Sequence, residues 1–406
     1  MGAFENAKGM SKEEVIEKVK AAGLREYGVY NQELTEKWAK DVEGKEYWET
    51  PLKVIAALNN NDTSRALLSL LKTETADIIE GIKIAAYALD AEGMELYIPE
   101  GEEELKASLT ETLSGTGIEL CEGIVNVRTS RGSSLNHIET MAALGALFED
   151  RYEAGTWMAV CKDGKCGELT KVSFPTAVKD IPGVALEGLK GIVIGSKLYD
   201  MTGLDVVVEA DTNIGNGVIT LLADTCCIID QEEKWLLEER RNGCGRCTFC
   251  REGLGQLHTM TKEITEGKGK NEFIAMMEEI GSAMSFSCQC SVGQTGADFT
   301  LGTLNYFADE YTDHIKKKKC AANVCSSFMS IYIDPNLCEG CEECADVCPA
   351  GCIEGKSGFI HMIDEFDCTK CGKCIEACEY DAVIQTTGRV PKLPNRLIKC
   401  GKFKKR

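Results

Sequence analysis

Cysteine spacing limits what this chain can fold into more than any other feature of its sequence. The chain has 22 cysteines among 406 residues, and three closely spaced runs lie in its later part. The runs are Cys244, Cys247 and Cys250; then Cys338, Cys341, Cys344 and Cys348; and finally Cys368, Cys371, Cys374 and Cys378. A single C-x-x-C also occurs in zinc sites and thiol redox sites. Two complete C-x2-C-x2-C-x3-C runs close together instead predict a pair of [4Fe-4S] clusters.

The spacing within each longer run has a structural reason. A cubane cluster needs four thiolates from different directions, and one loop supplies three of them. The fourth cysteine of each run ligates the other cluster. The first cluster is therefore assigned to Cys338, Cys341, Cys344 and Cys378, and the second to Cys368, Cys371, Cys374 and Cys348. With short β-like stretches around the runs, the segment from Ile331 to Thr387 resembles a bacterial two-cluster ferredoxin.

Composition excludes several classes of function. The chain has 65 acidic and 45 basic residues, and its net charge of −20 disfavours binding to nucleic acid or to anionic membranes. No apolar run reaches the length of about 18 residues that a transmembrane helix needs, and residues 1–20 have no signal-peptide core. Cysteines with cluster spacing belong in a reducing compartment rather than in a disulfide scaffold. We therefore expect a cytoplasmic protein without direct membrane insertion.

Hydrophobic patterning divides the chain into five predicted parts. The first alternates helices and strands, and it begins with a helix from Ser11 to Ala22 whose capping box pairs Ser11 with Glu14. The second part has short strands with glycine turns, the third is helical, the fourth is ferredoxin-like, and the fifth is a basic tail. Their bounds are 1–155, 156–225, 226–319, 320–388 and 389–406. The predicted fold class is a multidomain α/β and α+β protein.

The middle of the chain carries a longer motif. Residues 242–255 read NGCGRCTFCREGLG. This segment resembles the cluster-binding segment of the NADH-binding flavoprotein subunit of respiratory complex I, and of related subunits of soluble NAD-dependent and bifurcating hydrogenases. Residues 80–88, 135–141 and 223–230 resemble other segments of the same family, and the ferredoxin-like unit makes the resemblance strongest to the hydrogenase-type subunits. The resemblance implies a Rossmann-like flavin domain, a β-grasp domain and a helical bundle with one [4Fe-4S] cluster in the first three parts.

The same resemblance assigns the cluster of the helical bundle. Cys244, Cys247 and Cys250 supply three ligands, and the family places the fourth before the last helix of the bundle. That position favours Cys290, and Cys288 stays open as the alternative. With the two ferredoxin clusters, the chain is expected to hold three [4Fe-4S] clusters.

The flavin site that the resemblance implies departs from the family pattern. Residues 24–32 contain one glycine where the family has a glycine-rich loop, and only glycine lets the backbone approach a flavin closely. The family's acidic segment is altered at 56–64, and residues 123–134 are too short for its third loop. The family contacts that remain are Asn136, Glu139 and Thr140, which also fit the start of a helix. We therefore expect neither FMN nor NAD to bind, with Tyr27 and Tyr30 filling the flavin space.

A structural zinc site is predicted beside the ferredoxin-like unit. Its expected ligands are Cys320, Cys325, His361 and Cys400, with Cys352 as a substitute for Cys400. Three thiolates and one imidazole make a closed tetrahedral site, and hydrogenase-type relatives have a similar cysteine pair and histidine. The other histidines are expected to be structural. Cys161 and Cys166 flank a hairpin-like turn, where packing is favoured over a zinc or redox role.

These observations predict an iron–sulfur subunit that relays single electrons through three [4Fe-4S] clusters in a multi-subunit oxidoreductase, without its own FMN. One alternative is an active FMN-dependent NADH dehydrogenase subunit of a hydrogenase or bifurcating complex. The other is a scaffold whose clusters only hold structure, although three clusters on one chain argue against it. The resemblance implies two partners, a thioredoxin-like [2Fe-2S] subunit and a catalytic hydrogenase or dehydrogenase subunit.

Overall fold

The computed structural model describes residues 2–27, 31–60, 62, 64–125, 130–387 and 389–403. Contacts divide the chain into two compact units. The first comprises Met1–Thr225, Glu232–His258 and Ile274–Phe307, and the second comprises Cys226–Gln231, Thr259–Phe273 and Ala308–Arg406. The part predicted to be a helical bundle is thus shared between the units, and the five-part division stays a prediction. No helix in the described ranges has the length and apolarity that crossing a membrane requires.

The first unit begins with a parallel β-sheet covered by helices. Its strands are β1 (Lys53–Ala57), β2 (Gly93–Ile98), β3 (Ile118–Glu122) and β4 (Ser134–His137), in the order β3-β2-β1-β4 with every pairing parallel. Its helices are α1 (Ala3–Lys8), α2 (Lys12–Ala21), α3 (Leu34–Trp48), α4 (Leu70–Thr73), α5 (Thr75–Leu89), α6 (Glu103–Thr112) and α7 (Ile138–Leu147). In such a sheet the loops after the strands meet at one edge, where ligands bind in open α/β folds.

Local sequence explains how these helices begin and pack. The predicted capping box is confirmed, because the Ser11 hydroxyl accepts the Glu14 N–H and the Glu14 carboxylate accepts the Ser11 N–H at 2.7 Å. Helices α5 and α7 cross at very short range. A Cβ on Gly81 would overlap the Met141 carbonyl oxygen, and Gly145 approaches α5 in the same way. Glycine at these two positions therefore sets how closely the helices pack.

A second, mixed sheet follows in the first unit. Its strands are β5 (Gly155–Lys162), β6 (Lys165–Cys166), β7 (Thr170–Ser173), β9 (Leu189–Ile194), β10 (Lys197–Tyr199) and β12 (Val218–Ala223), while β8 (Thr176–Ala177) pairs with β11 (Val207–Val208). Strands β5 and β12 pair in parallel, and the other neighbours are antiparallel. The β-grasp assignment stays a prediction. Cys161 and Cys166 face each other across the β5–β6 hairpin and form a disulfide, instead of the simple packing that the sequence favoured.

Helices dominate the next stretch of the chain. They are α8 (Ile228–Asn242), α9 (Thr248–Thr265), α10 (Glu272–Ser287), α11 (Ser291–Thr295), α12 (Asp298–Tyr306) and α13 (Ala308–Ile315). Within the first unit the Thr300 hydroxyl donates to the buried Glu232 carboxylate at 2.8 Å. The rings of Trp235 and Phe299 also pack, with their centroids 5.3 Å apart. These contacts join α8 to α12.

The ferredoxin-like part of the second unit is an internal repeat. Its elements are β13 (Ser330–Ile333), α14 (Glu343–Asp346), β14 (Ile353–Glu354), β15 (Met362–Ile363), α15 (Lys373–Glu376) and β16 (Val383–Thr386). Strand β13 pairs with β16 and β14 pairs with β15, both antiparallel. Helices α14 and α15 begin at the same interval that separates the two cysteine runs. Each half of the repeat therefore presents its run in the same local setting.

Candidate iron–sulfur and metal centres

Helix ends hold five cysteines of the first unit near one another. Cys244 and Cys247 lie in the loop between α8 and α9, and Cys250 lies in the first turn of α9. Cys290 is the N-cap residue of α11, and Cys288 directly follows α10. Three of these thiols come from the first cysteine run and two from the later pair.

The electrostatic effects of these thiols on one another show which of them lie close together. Burial, with the nearby thiols of the other four residues, raises the pKa of Cys250 to about 12. The Cys290 thiol also faces Cys244 and Cys247, whereas the Cys288 thiol faces Cys247 and Cys290. Cys290 is therefore close to all three cysteines of the run. The geometry favours Cys290 as the fourth donor, as the resemblance implies.

The surroundings of Cys290 fit an iron–sulfur cluster. Its thiol accepts the backbone N–H groups of Val292 and Gly293. Such bonds to cluster sulfur tune its reduction potential. A Cβ on Gly293 would lie 2.7 Å from the Cys288 sulfur, so glycine keeps room for that neighbouring thiol. Four convergent thiols with backbone donors are a suitable donor set for a [4Fe-4S] cluster.

The ferredoxin-like part brings its two runs together in a crossed arrangement. Burial raises the pKa of Cys344 to about 12, and the thiols that add to this effect include Cys338, Cys341 and Cys378. Burial likewise raises the pKa of Cys374, and the contributing thiols are Cys368, Cys371 and Cys348. Each group combines three cysteines of one run with the last cysteine of the other. The structure thus brings together both of the predicted ligand sets.

Both ferredoxin ligand sets reach the protein surface. Cys341 and Cys371 are exposed, while Cys344 and Cys374, at equivalent places of the repeat, are buried. Among the cysteines of the first set lies a cavity whose lining also includes His361. An exposed cysteine gives each set an edge at which electrons can be exchanged, and the buried cysteines anchor it to the core.

A separate group of four buried side chains lies in the second unit. Its members are Cys227, His314, Cys320 and Cys325, and their donor atoms all lie within 4.8 Å of one another. The sulfurs of Cys227 and Cys325 are 3.8 Å apart, and His314 Nε2 lies 3.3 Å from the first and 3.5 Å from the second. Zinc bonds of about 2.3 Å to sulfur and about 2.0 Å to nitrogen give tetrahedral edges of about 3.8 and 3.5 Å. The group therefore has the chemistry and the spacing of a closed zinc site.

The environment of His314 orients its ring as a ligand. His314 Nδ1 is 2.8 Å from the Glu310 carbonyl oxygen, which leaves Nε2 for the thiols. Burial lowers the pKa of His314, but hydrogen bonds with Cys227 and Cys320 outweigh it and raise the pKa to about 10. The three sulfurs thus favour a positive charge at the centre of the group, which is the charge that a zinc ion would bring.

The predicted zinc set is corrected by this geometry. The structure gathers Cys320 and Cys325, but with Cys227 and His314 rather than with His361 and Cys400. His314 lies shortly before Cys320 and Cys325 in the sequence, and this spacing could have indicated a metal ligand. The sequence analysis instead expected a structural histidine. Cys227 had no such local signal, because only the fold brings it to the pair.

The other predicted zinc ligands lie beside the ferredoxin clusters. His361 lines the cavity of the first set. The Cys400 thiol contacts Cys338, because the tail pairs with the ferredoxin-like part. The sulfur of Cys352 lies 3.5 Å from that of Cys348 in the second set. These three residues therefore lie beside ferredoxin cysteines and not with Cys320 and Cys325.

Beside the parallel sheet, the start of α7 is hydrogen-bonded to Glu26 and Tyr27, in the segment where the resemblance led us to expect a glycine-rich loop. The Glu26 carboxyl accepts the backbone N–H of His137 at 2.5 Å, and the Tyr27 N–H donates to the Thr140 hydroxyl at 2.9 Å. The Tyr27 hydroxyl donates to the Gly155 carbonyl at 2.8 Å. Burial raises the pKa of Glu26 to about 8, so this carboxyl is mostly neutral at pH 7. The expectation for Tyr30 lies outside the described residues.

The other two residues that match flavin contacts are also engaged within the protein. The Asn136 side-chain oxygen accepts from Lys37 at 3.4 Å and from Trp38 at 3.3 Å. The Glu139 carboxyl accepts the Trp157 N–H at 2.7 Å, and burial raises the pKa of Glu139 to about 7. Both residues therefore have structural hydrogen bonds in the folded chain.

A cavity of about 360 Å³ opens at the carboxyl ends of β1, β2 and β3. Its lining includes Asp62 and two cations, Arg65 and Arg241. One carboxylate oxygen of Asp62 is buried and has no hydrogen-bond partner in the part of the chain that the structure describes. No sequence pattern singles out this place, because its residues come from four separate segments.

Two regions of the chain match family models. Residues 238–314 match the NADH-ubiquinone oxidoreductase-F iron-sulfur binding region, and residues 330–379 match a 4Fe-4S dicluster domain. The first region includes the cysteine run between α8 and α9 together with Cys288 and Cys290. The second includes both ferredoxin runs.

Curated relatives are similar over part of the chain. The NADP-reducing hydrogenase subunit HndC of Solidesulfovibrio fructosivorans is 27% identical over 208 residues, which are 51% of this chain and 42% of that protein. A subunit of the NADH-quinone oxidoreductase of Streptomyces coelicolor is 27% identical over 111 residues, which are 27% of this chain and 25% of that protein. The chain thus spans less than half the length of these relatives.

A solved structure resembles the fold over a larger part of the chain. The crystal structure of an NAD+-reducing [NiFe]-hydrogenase in the air-oxidised state superposes with a TM-score of 0.64 at 16% identity, covering 77% of this chain and 65% of that one. At this identity the match shows the fold alone. The predicted resemblance is confirmed, and the chain contains an NADH-ubiquinone oxidoreductase-F iron-sulfur binding region followed by a 4Fe-4S dicluster domain.

Proposed function

We propose that this chain is an iron–sulfur electron-transfer subunit of an oxidoreductase complex of the NADH-quinone oxidoreductase or hydrogenase type. It relays single electrons through three [4Fe-4S] clusters and has no FMN of its own. The observation that carries the proposal is the convergence of three separate thiol sets, one in the first unit and two in the second. A scaffold would not need three redox-active groups, two of them with an exposed cysteine.

The clusters supply one-electron redox chemistry when they are bound. The chain's own residues hold them in place and set their surroundings. Backbone N–H groups of Val292 and Gly293 point to the Cys290 sulfur in the first unit. In the ferredoxin-like part, Cys341 and Cys371 carry an edge of each set to the surface, where a partner can approach.

The occupied start of α7 supports the absence of FMN. The N-terminus of a helix is a common phosphate site, because its backbone N–H groups are free. Here the Glu26 carboxyl already accepts the N–H of His137, and Tyr27 already donates to Thr140. A flavin phosphate that bound the His137 N–H would have to displace the Glu26 carboxyl.

A second candidate function is an FMN-dependent NADH dehydrogenase subunit. The observation that favours it is the cavity at the carboxyl ends of the strands, with Arg65 and Arg241 in its lining. Acid extraction of the purified chain separates the two candidates. We expect no stoichiometric flavin. About one FMN per chain, reducible by NADH, would establish the dehydrogenase and refute the proposal as stated.

We also propose a structural zinc ion at the four-residue group. Cys227, Cys320 and Cys325 would supply thiolates, and His314 would supply Nε2. A metal there would join the segment Cys226–Gln231 to the stretch between α13 and the ferredoxin-like part, all within the second unit. Its role would be structural, because four protein ligands leave no open position for a substrate.

The names of the relatives support partner subunits. Both curated relatives are named as subunits of larger enzymes. We propose a thioredoxin-like [2Fe-2S] subunit and a catalytic hydrogenase or dehydrogenase subunit as partners, in a cytoplasmic complex. Anaerobic purification from the native host, with identification of the co-purifying chains, tests this assignment.

Electron transfer is tested on the same preparation. The chain should contain about 12 iron atoms, and its dithionite-reduced clusters should be reoxidised by a co-purifying subunit with an oxidised acceptor. An iron–sulfur protein of an unrelated complex, at the same concentration, is the control. Fully loaded clusters that exchange electrons with no co-purifying chain would contradict the proposed function.

A further inference from the structure

His361 is a buried imidazole without a hydrogen-bond partner. Its side chain is 2% exposed, and neither ring nitrogen has a partner within the described residues. Leaving a buried polar group unpaired is unfavourable, so each such group calls for an explanation. The ring lies flat against Gly355, where any Cβ would overlap it. The backbone at Gly355 therefore leaves the space that the imidazole fills.

The ring faces the place of the first ferredoxin cluster. His361 lines one cavity together with the first ligand set, Cys338, Cys341, Cys344 and Cys378. The rest of the lining consists of three apolar residues, Ile333, Ala382 and Val383, and of Glu339 and Tyr380. A neutral imidazole has one N–H donor, and sulfides and thiolates are acceptors. A cluster in this cavity would give the imidazole the acceptor that the protein alone does not provide.

The internal repeat has the imidazole and its neighbouring glycine at only one of two equivalent places. His361 precedes its cysteine run by the same interval by which Ile331 precedes the other run. In the same way Gly355 corresponds to Gln385, which is the ladder partner of Ile331 between β13 and β16. The imidazole and the glycine that makes room for it thus lie opposite each other beside the strand pair β14–β15. The equivalent pair, β13–β16, has Ile331 and Gln385 at these positions.

We propose that His361 donates an N–H hydrogen bond to the cluster held by the first ferredoxin set and raises its midpoint potential above that of the second. The proposal rests on the clusters of the proposed function. Reduction adds one electron to the cluster and breaks no bond, so the acceptor sulfurs become more negative. A hydrogen bond to a more negative acceptor is stronger, and the donor therefore stabilises the reduced state. The hydrogen bond from His361 makes electron transfer from the second cluster to the first energetically favourable.

The test uses the full chain and EPR-monitored redox titration. His361→Ile introduces the residue of the other half, and His361→Asn keeps an N–H donor. Tyr380→Phe is the matched control, because it removes a half-exposed hydroxyl from the lining of the same cavity. Cys341→Ser changes a ligand of the first set and thereby identifies which redox step belongs to that cluster.

The expected result is a shift in a single redox step. The Cys341→Ser variant identifies the redox step of the first cluster. In His361→Ile the midpoint potential of that step should fall by about 59 mV, which for one electron is a tenfold decrease in the equilibrium constant for reduction. In His361→Asn the potential of this step should stay close to the wild-type value, and in Tyr380→Phe the potentials of all steps should be unchanged. Iron content, measured on the His361 and Tyr380 variants, should stay at the wild-type value.

Several outcomes would overturn the proposal. They are an unchanged potential in His361→Ile, an equal fall in His361→Asn, and a shift in a different step. Loss of iron from both variants would also overturn it, because the ring would then serve cluster assembly. New g values without a potential shift would make His361 a direct ligand instead. Failure of the proposed function looks different, since the potential shift would remain while no partner exchanged electrons.

Discussion

Replacing Cys227 by serine should remove the zinc ion from the second unit. The Cys227 sulfur lies 3.3 Å from His314 Nε2 and 3.8 Å from the Cys325 sulfur, so it would form one corner of the proposed zinc tetrahedron. A serine hydroxyl is shorter than the thiol and does not ionise near pH 7. The variant would therefore leave three ligands and an open corner in a buried place.

The expected loss of stability follows from the binding of the metal. Structural zinc ions bind with apparent free energies of about 10–16 kcal/mol in small domains. At free zinc 1,000-fold above its dissociation constant, binding stabilises the folded state by about 4 kcal/mol. We expect Cys227→Ser to lose about this much in the second unit. Each buried polar group left unpaired adds a cost of about 1–3 kcal/mol.

Elemental analysis and hydrogen exchange measure the two effects. The wild type should contain about one zinc per chain, and the variant almost none. Amide exchange in residues 314–328 should become faster in the variant. Cys226→Ser, at the neighbouring position, and Cys400→Ser, at the ligand predicted from the sequence, are the matched controls. Zinc retained by Cys227→Ser, or lost from Cys400→Ser, would refute the four-residue assignment.

Three further predictions concern the first unit. Cys290→Ser should lower the iron content from about 12 to about 8 atoms per chain, whereas Cys288→Ser should keep all three clusters. Burial raises the pKa of the Glu26 carboxyl from 4.5 to about 8 in the folded chain. Below pH 4.5 this carboxyl is protonated in both the folded and the unfolded chain. As the pH rises from 4.5 to 8 the unfolded chain loses the proton first, so the stability that this group contributes is lost. Urea unfolding should show a decrease of about 1.4 kcal/mol per pH unit from this group, which Glu26→Gln should remove. Gly81→Ala should cost about 1–3 kcal/mol by forcing α5 from α7, while Gly255→Ala, with open space around its Cβ, should cost nothing in urea unfolding.

Local patterns were sufficient where the chemistry itself is local. The three-residue steps of each cysteine run place three thiols on one loop, and the structure brings together the crossed sets assigned from that spacing. The capping box at Ser11 is likewise a contact within one helical turn. Such features depend on neighbouring residues, so they can be deduced before the fold is known.

Contacts between residues that are far apart in the sequence could not be predicted in this way. Four leftover ligands, Cys320, Cys325, His361 and Cys400, had the right chemistry for zinc, but residue type alone could not say which of them meet. In the folded chain His361 and Cys400 lie beside the first ferredoxin set. Cys227 instead lies next to Cys320 and Cys325. The structure therefore gathers two of the four predicted ligands, Cys320 and Cys325, and places the other two elsewhere.

Cysteine spacing and the motif at 242–255 were enough to predict the iron–sulfur character of the chain and its resemblance to a known family. The fold had to be known before it was clear how Glu26 and Tyr27 bond to the start of α7, which four side chains could hold a metal, and that His361 lines the cavity among the first-set cysteines. Thiolate spacing, in contrast, is set by a few backbone torsions in one loop. A buried polar contact between distant segments depends instead on the packing of whole helices and strands, and on glycines such as Gly355 that leave room for it.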